Sequence, residues 1–217
     1  MLEASRISAL LTPFFADHHP PPQLIAQLQT YLDLLLRWNA RINLTAVRDP
    51  EQIVTRHFGE SLLAGLVLVQ CGALDSGGKA ATMADLGSGA GFPGIPIKLL
   101  SPQTHTTLIE ANHKKAAFLR EVIRHLNLVD IEVFCRRAET LTAANYRVVA
   151  LRAVEKFESA MQVAWRLVGP DGTLCLLVGK GQHPEAHLPQ ESWTHHNEHP
   201  IPLSQHRVVF IAQKWHK

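Results

Sequence analysis

The chain has few cysteines, and none of them is placed to pair with another. Its 217 residues contain three, Cys71, Cys135 and Cys175, which stand far apart. This spacing argues against a disulfide framework, a zinc ribbon and a thioredoxin-like pair. A histidine-rich stretch at 183–206 has no cysteine or carboxylate partner at ligand spacing. We therefore predict no metal site.

Long hydrophobic runs are also missing. The longest apolar stretch, residues 62–69, is far too short to cross a bilayer. The first residues show no basic stretch leading into an apolar core, so no signal peptide is predicted. Apolar residues make up 46% of the chain and charged residues 18%, which is typical of a folded globular protein. We expect a cytoplasmic enzyme with no membrane partner.

A strong net charge is absent as well, since the formal value is +2. Overall charge therefore does not indicate nucleic-acid binding, but its local distribution does. Basic residues cluster on both sides of a glycine-rich segment: Arg37, Arg41, Arg48, Arg56 and His57 before it, and Lys114, Lys115, Arg120, Arg124, Arg136 and Arg137 after it. Any one cluster could be a solvated helix face. Several clusters around one loop favour a polyanionic partner such as RNA.

The glycine-rich segment is the most informative feature of the sequence. Residues 82–94 read T-M-A-D-L-G-S-G-A-G-F-P-G, a short apolar run followed by closely spaced glycines. Such glycines let the chain turn sharply after a strand and bring the backbone close to a ligand. The order of strand, loop and helix is that of the first crossover unit in a nucleotide-binding α/β domain.

The periodicity of apolar residues divides the chain into a helical leader, 1–78, and an α/β body, 79–217. Helices are predicted over 21–44, 50–69, 95–100, 113–126 and 156–167, and strands over 82–86, 106–109, 131–134, 148–151, 172–178 and 207–212. The stretch 71–79 is predicted to be a linker-like turn region. Alternating strands and helices predict a mostly parallel sheet with helices on both faces.

The glycine loop favours S-adenosylmethionine over a nicotinamide dinucleotide. Asp85 ends the strand, where a carboxylate would repel a pyrophosphate but would suit a cationic amino-acid tail. Pro93 and Pro96 remove N–H donors that a pyrophosphate would need. Glu110, at the end of the next strand, is expected to accept hydrogen bonds from ribose hydroxyls of either cofactor. Ala138 and Glu139, after the third strand, are placed to flank the adenine.

Four segments of the sequence together resemble one protein family. They read W-N-A-R-I-N-L-T-A-V-R-D-P at 38–50, R-H-F-G-E-S at 56–61, D-L-G-S-G-A-G-F-P-G-I-P at 85–96 and K-K-A-A-F-L-R-E-V at 114–122. The set is similar to the bacterial 16S ribosomal RNA guanine-N7 methyltransferases, also known as glucose-inhibited division protein B. The sequence departs from the family at two places. The family usually has a serine before the arginine aligned with Arg152 and a phenylalanine after the alanine, where this chain has Leu151 and Val154. The family's basic run after the second strand is shorter here, because Ala116 and Ala117 follow Lys114 and Lys115.

The resemblance implies a fold, a substrate and a cofactor. The fold would be an α/β class I S-adenosylmethionine-dependent methyltransferase: Rossmann-like, with a mostly parallel seven-stranded sheet and an N-terminal helical cap. The substrate would be a guanine of the 530 loop of 16S ribosomal RNA (position 527 in common numbering), in the RNA or in a small ribosomal subunit precursor. The protein is expected to act as a monomer.

The resemblance also implies site residues. Carried over by position, the methyl-donor site resembles the family's at Gly87, Phe92, Ala138, Glu139 and Arg152, with Asp85 and Glu110 as neighbours. Gly89 and Gly91 of the glycine loop are expected to belong to the same site. Arg152 is also a candidate for positioning the reactants. The residues expected to contact RNA are Arg41, Arg48, Arg56, Lys114, Lys115 and Lys180. Lys180 lies in a Gly-Lys-Gly turn, which could equally be a plain turn.

The chemistry of guanine N7 agrees with residues that the sequence lacks. N7 carries a free lone pair, so it can attack a sulfonium methyl group with no general base and no covalent intermediate. None of the three cysteines follows a proline, as the nucleophile of a pyrimidine C5 methylase usually does. The alternatives are a methyltransferase acting on another RNA site, an NAD-dependent oxidoreductase, and a non-catalytic RNA-binding protein that keeps the fold.

Overall fold

The fold is described from a computed structural model. The structure describes residues 2–16, 18–76, 79–141, 145–152, 157–182, 184–187 and 193–215. The predictions made for His183, for Ala153 and Val154, and for a helix start at Lys156 fall outside these residues. Within them, no helix is both long enough and apolar enough to cross a membrane, and the three cysteines are free thiols.

The N-terminal part is helical. It comprises α1 (Ala4–Leu11), a 3-10 turn (Thr12–Phe15), α2 (Pro22–Asn39), α3 (Pro50–Ile53), a π-helical segment (Val54–Gly59) and α4 (Glu60–Gln70). α3, the π-helical segment and α4 follow one another without interruption, where the sequence predicts one helix over 50–69. Asp49 caps this helix, because its carboxylate accepts a hydrogen bond from the amide of Gln52 at 3.0 Å. The sequence analysis did not predict α1.

The prediction that α2 continues to residue 44 is wrong. The helix ends at Asn39, whose side-chain oxygen accepts hydrogen bonds from the amides of Leu44 and Thr45 at 2.9 and 3.1 Å. Arg48 donates to the backbone oxygen of Asn39 at 2.6 Å. These bonds fold residues 40–48 back onto the helix end. The two asparagines, Asn39 and Asn43, are the sequence signal for this turn. Short polar side chains that hydrogen-bond to nearby backbone favour turns over helix.

The α/β body contains two short strands and seven strands of one sheet. The short strands, β1 (Asp75–Ser76) and β2 (Lys79–Ala80), lie in the predicted linker region. The sheet contains β3 (Thr82–Leu86), β4 (His105–Ile109), β5 (Ile131–Phe134), β6 (Tyr146–Arg152), β7 (Val168–Gly179), β8 (Trp193–Pro200) and β9 (Arg207–Lys214). The helices that follow β3, β4 and β6 are α5 (Gly94–Leu100), α6 (His113–His125) and α7 (Phe157–Leu167).

The sheet has the order β5-β4-β3-β6-β7-β9-β8. Strands β3 to β7 are parallel, whereas β9 is antiparallel to both β7 and β8. This confirms the mostly parallel seven-stranded sheet. The sequence analysis missed β8, which lies at the edge and has the sequence W-T-H-H-N-E-H-P. Its polar residues carry no apolar alternation, and its pairing with β9 is supplied by the backbone.

Apolar side chains cover both faces of the sheet. On one face, α7 packs against buried residues of β3, β6, β7 and β9. On the other, a single apolar cluster combines Met83, Val148 and Cys175 of the sheet with Leu28 and Leu62 of the N-terminal helices. The N-terminal part therefore shares a core with the α/β body. The division at residue 78 stays a prediction.

Candidate active site

The strand order reverses between β3 and β6, and the candidate site lies at that point. From β3 the chain runs outward through β4 to β5, and it then returns to place β6 on the other side of β3. A crevice forms where neighbouring crossovers leave in opposite directions, outside the carboxyl ends of the strands. The glycine loop leaves the carboxyl end of β3, Glu110 follows β4, and Arg152 ends β6. The topology thus brings these predicted residues to one edge.

The glycine loop presents bare backbone at this edge. Gly87 and Gly89 have φ angles of 72° and 56°, which L side chains rarely adopt. A Cβ atom at Gly87 would meet nothing within 4 Å, and one at Gly89 would approach only the oxygen of Gly87 at 3.8 Å. The amide of Gly87 donates to the oxygen of Ile109 at 2.9 Å, which fixes the loop against β4. The loop is therefore held in place while its outer side stays open for a ligand.

Glu110 joins the second strand to the glycine loop. One carboxylate oxygen accepts from the amide of Gly89 at 2.9 Å, and the other accepts from the amide of Asn112 at 2.7 Å. The side chain is thereby held at the strand end next to the open face of the loop. Each carboxylate oxygen can accept a second hydrogen bond. Glu110 can consequently bind ribose hydroxyls while it keeps the loop in position.

Asp85 lies beneath the loop and is fully buried. One of its oxygens accepts from the amide of Gly94 at 3.0 Å, at the start of α5, whereas the other is buried with no partner in the described part of the chain. Burial raises the pKa of this carboxyl to about 7. A cationic group nearby would satisfy the unpaired oxygen. The residues fit a donor with a positively charged tail, with Asp85 as the acid below the loop.

An aromatic cluster connects the loop to the N-terminal helices. The ring of Phe92 stacks on Tyr31 at 5.5 Å and on His57 at 4.9 Å between centroids. The buried hydroxyl of Tyr31 also donates to the backbone oxygen of Ala90. Phe92 is thus turned towards the helical part, so its side chain supports the loop from below. Tyr31 is completely buried, and its bond to the loop was not predicted from the sequence.

Arg152 is held by the N-terminal helices. Its guanidinium donates to Glu60 at 2.9 Å and to the backbone oxygen of Arg56 at 2.5 Å. Arg207 also pairs with Glu60, at 2.9 Å. The side chains of Arg152 and Glu60 are only 7% and 4% exposed, and burial lowers the pKa of Arg152 to about 10, so it stays charged at neutral pH. Sequence reasoning identified neither Glu60 nor Arg207.

His57 is neutral in the folded protein. Burial, together with the nearby guanidiniums of Arg152, Arg56 and Arg207, lowers its pKa to about 3. One ring nitrogen lies 2.7 Å from the hydroxyl of Thr45, which ties the loop 40–48 to the aromatic cluster. The neutral ring can stack on Phe92 without bringing another positive charge next to the arginines.

The pKa of His57 predicts acid-sensitive stability. Below pH 6.5, the ordinary pKa of histidine, His57 binds a proton in the unfolded chain but stays neutral in the folded protein. The free energy of unfolding therefore falls as the pH drops from 6.5 towards 3. Asp85 acts in the opposite sense, since its raised pKa adds stability that is lost as the pH rises through about 7. In urea unfolding, we expect His57→Gln to lose less stability than the wild type between neutral pH and pH 5.

The companion variant Asp85→Asn controls for the opposing group. We expect it to lose more stability than the wild type over the same pH interval, because the compensating protonation is gone. Parallel pH profiles for the wild type and His57→Gln would show that His57 titrates normally.

The remaining predicted residues lie partly at this edge and partly on the helical part of the chain. Ala138 is buried in the same apolar cluster as Leu86 and Ile109, and the adjacent Glu139 is exposed; their role beside the adenine stays a prediction. Lys114 and Lys115 begin α6 just after β4, and Lys180 follows β7 at the same end of the sheet. Arg41 and Arg56 are exposed. Arg48 differs from the other five residues predicted to contact RNA, because its guanidinium already donates hydrogen bonds to Asn39 and Asn43.

Comparisons with known proteins agree with this arrangement. A family model described as rRNA small subunit methyltransferase G matches residues 24–208. The ribosomal RNA small subunit methyltransferase G of Xanthomonas euvesicatoria pv. vesicatoria is 41% identical over 193 residues, which cover 87% of this chain and 86% of that protein. The protein of the same name from Xylella fastidiosa is 38% identical over 194 residues, covering 88% and 87%.

Solved structures share the fold at lower identity. TrmN from Thermus thermophilus superimposes with a TM-score of 0.57 at 16% identity, over 74% of this chain and 53% of that one. M. jannaschii TYW2 in complex with AdoMet gives a TM-score of 0.53 at 15% identity, over 70% and 75%. These structures confirm the class I methyltransferase fold. The family match and the curated relatives confirm the resemblance seen in the sequence: the chain belongs to the rRNA small subunit methyltransferase G family.

Proposed function

We propose that this protein transfers the methyl group of S-adenosylmethionine to N7 of a guanine in the 530 loop of 16S ribosomal RNA. Family membership makes it a ribosomal RNA methyltransferase that depends on this donor. The observation that carries the proposal is the family match over residues 24–208, which includes the open glycine loop, Glu110 and Arg152. An NAD-dependent oxidoreductase is set aside on the same ground.

The donor site is proposed to consist of the groups at the carboxyl ends of β3, β4 and β6. When bound, S-adenosylmethionine supplies an electrophilic methyl group on a sulfonium. The backbone at Gly87 and Gly89 gives room for a close approach, Glu110 accepts ribose hydroxyls, and Asp85 lies below with an unpaired oxygen. Gly91, Phe92, Ala138, Glu139 and Arg152 complete the proposed set.

The RNA is proposed to approach the same edge. Lys114, Lys115 and Lys180 follow strands that end at this edge, Arg41 and Arg56 are exposed on the helical part, and we keep Arg48 as a residue that shapes the loop 40–48. Because all of these groups belong to one chain, the site needs no second copy, which supports a monomer. We further propose that the enzyme acts in the cytoplasm, on 16S RNA or on the small-subunit precursor.

No side chain is required to remove a proton. N7 offers a lone pair in the plane of the base, so the chain has only to align acceptor and donor and to exclude water. Arg152 is suited to maintain this alignment, because it is fixed between Glu60 and the π-helical backbone.

A single-turnover reaction tests this assignment. With saturating donor and 16S RNA, digestion of the product should give 7-methylguanosine, and the rate should be nearly flat from mildly acidic to mildly alkaline pH. Saturation matters because the pKa of Asp85, about 7 in the ligand-free protein, could make donor affinity vary with pH. Arg152→Ala should slow the step because it disturbs the alignment, and it should leave the pH profile flat. No carboxylate or histidine should behave as a general base, whose loss typically costs about a hundredfold or more.

The opposite outcome is equally clear. An ionisation near neutrality at saturating donor, abolished by replacing one carboxylate or histidine, would identify a proton-bearing acceptor such as an exocyclic amine. The methyltransferase fold would stand, and the N7 assignment would not.

A further inference from the structure

A depression that contains three charged side chains lies beside the end of α2. It has a volume of about 410 Å3 and is lined by Arg37, Trp38, Ala40, Arg41 and Glu121. The first four residues belong to the end of α2 and the loop after it, and Glu121 belongs to α6. None of them is part of the proposed donor site.

The polar groups of this depression are largely unused. In the described part of the chain, the guanidinium of Arg41, the carboxylate of Glu121 and the indole N–H of Trp38 form no hydrogen bond or ion pair. Arg37 donates only from Nε, to the backbone oxygen of Asp33 at 3.3 Å. Two arginines and a glutamate thus line one depression without pairing. Cations, an acid and an aromatic N–H are all left free for a ligand.

Resting on the function proposed above, we propose that this depression binds one nucleotide of the RNA substrate and that its base is guanine. Arginine guanidiniums match phosphate oxygens. Trp38 is partly buried against the apolar core, and the part of its ring that lines the depression is an aromatic surface on which an unpaired base can stack, as is usual for single-stranded RNA. The Glu121 carboxylate can accept both N–H groups on the Watson–Crick edge of guanine, N1–H and the exocyclic amine. An acidic peptide would be repelled by that carboxylate.

The position of the depression suits a nucleotide close to the target base. Tyr31, on the same helix, bonds the glycine loop through Ala90. Trp38 follows Tyr31 by seven residues, two helical turns, which places it on the same face about 10 Å further along the axis. Trp38 also meets Phe118 of α6 edge to face at 5.7 Å, so its ring is held in place.

The test pairs protein and RNA changes. A hairpin that carries the 530 loop would be titrated with S-adenosylhomocysteine present, and each loop guanine in turn would be replaced by inosine, which lacks the exocyclic amine. We expect one inosine position to weaken wild-type binding about tenfold. Glu121→Gln should weaken binding to the guanine hairpin by a similar factor and should no longer distinguish inosine at that position.

The controls separate this effect from general charge and from the donor site. Arg41→Ala should weaken RNA binding but keep the inosine effect, because Glu121 remains. Arg124→Ala removes one positive charge from α6 outside the depression and should also leave the inosine effect intact. The affinity of Glu121→Gln for S-adenosylhomocysteine should equal that of the wild type.

The outcomes are distinct. If the wild type methylates the RNA but every inosine effect is the same in Glu121→Gln, the depression does not read a guanine and the proposed function is untouched. If the wild type methylates neither this hairpin nor 16S RNA nor the small-subunit precursor, both proposals fall.

Discussion

Replacing Glu60 by alanine is expected to destabilise the protein by about 3–5 kcal/mol, because it leaves the buried Arg152 without a carboxylate partner. The side chains of Glu60 and Arg152 are 4% and 7% exposed, so water cannot replace the lost interaction. Arg207, which is 23% exposed, lies close enough to repel Arg152 once the acid between them is gone. Urea unfolding at neutral pH measures the loss.

A second ion pair of the same chain provides the matched control. Arg6 and Glu51 make a two-point contact at 2.7 and 2.8 Å, but their side chains are 52% and 41% exposed. Surface pairs contribute little because water and salt screen them. Glu51→Ala should therefore lose much less stability than Glu60→Ala. Equal losses would mean that burial does not set the energy of the Glu60 pair.

The same substitution should also affect the site. Arg152 bonds the backbone oxygens of Arg56 and His57 as well as Glu60, so without the carboxylate its guanidinium loses its one charged partner among three. This would loosen the join between β6 and the π-helical segment. The contrast with Arg207→Ala is informative, because that variant keeps the Glu60–Arg152 contact and should cost less.

Periodic segments of the chain were predictable. The first strand was predicted at 82–86 and is observed at Thr82–Leu86, and the helix predicted at 113–126 is observed at His113–His125. Both have regular apolar spacing and clear end signals, such as the Asn112 side chain that accepts from the amides of Lys114 and Lys115. Where the hydrophobic pattern matches the period of the element, local sequence is sufficient.

Irregular segments were not predictable for physical reasons. The π-helical turn at Val54–Gly59 looks like ordinary helix in the sequence. Tertiary packing distinguishes it: a Cβ at Gly59 would come within 2.5 Å of the ring of Phe14. The edge strand β8 depends on backbone bonds to β9, which leave no pattern in side-chain polarity.

The site was predicted where it is local and missed where it is not. The strand, the glycine loop and Glu110 follow one another along the chain, so their spacing shows their association. The bond from Tyr31 to Ala90 joins residues 59 apart, and that from Arg152 to Glu60 joins residues 92 apart. No short motif contains both members of such a pair. The helical part therefore supports the site through contacts that only the folded structure shows.

Gly87→Val is expected to abolish donor binding while the protein still folds. Gly87 has a φ of 72° and open space where a Cβ would stand, so a valine would both strain the backbone and fill the face on which the donor is proposed to lie. The strain alone costs about 1–3 kcal/mol. Isothermal calorimetry with S-adenosylhomocysteine measures the binding.

Gly72→Val separates the two effects, because Gly72 has the same φ of 72° and also nothing within 4 Å of the position that a Cβ would take, but it lies in the turn after α4 and outside the strand edge that bears the site. Both variants should lose similar stability in urea unfolding, since the backbone strain is equal. Only Gly87→Val should lose affinity for S-adenosylhomocysteine. If both variants bind it as the wild type does, the donor does not rest on this loop. If both lose binding equally, backbone strain rather than a blocked face is the cause.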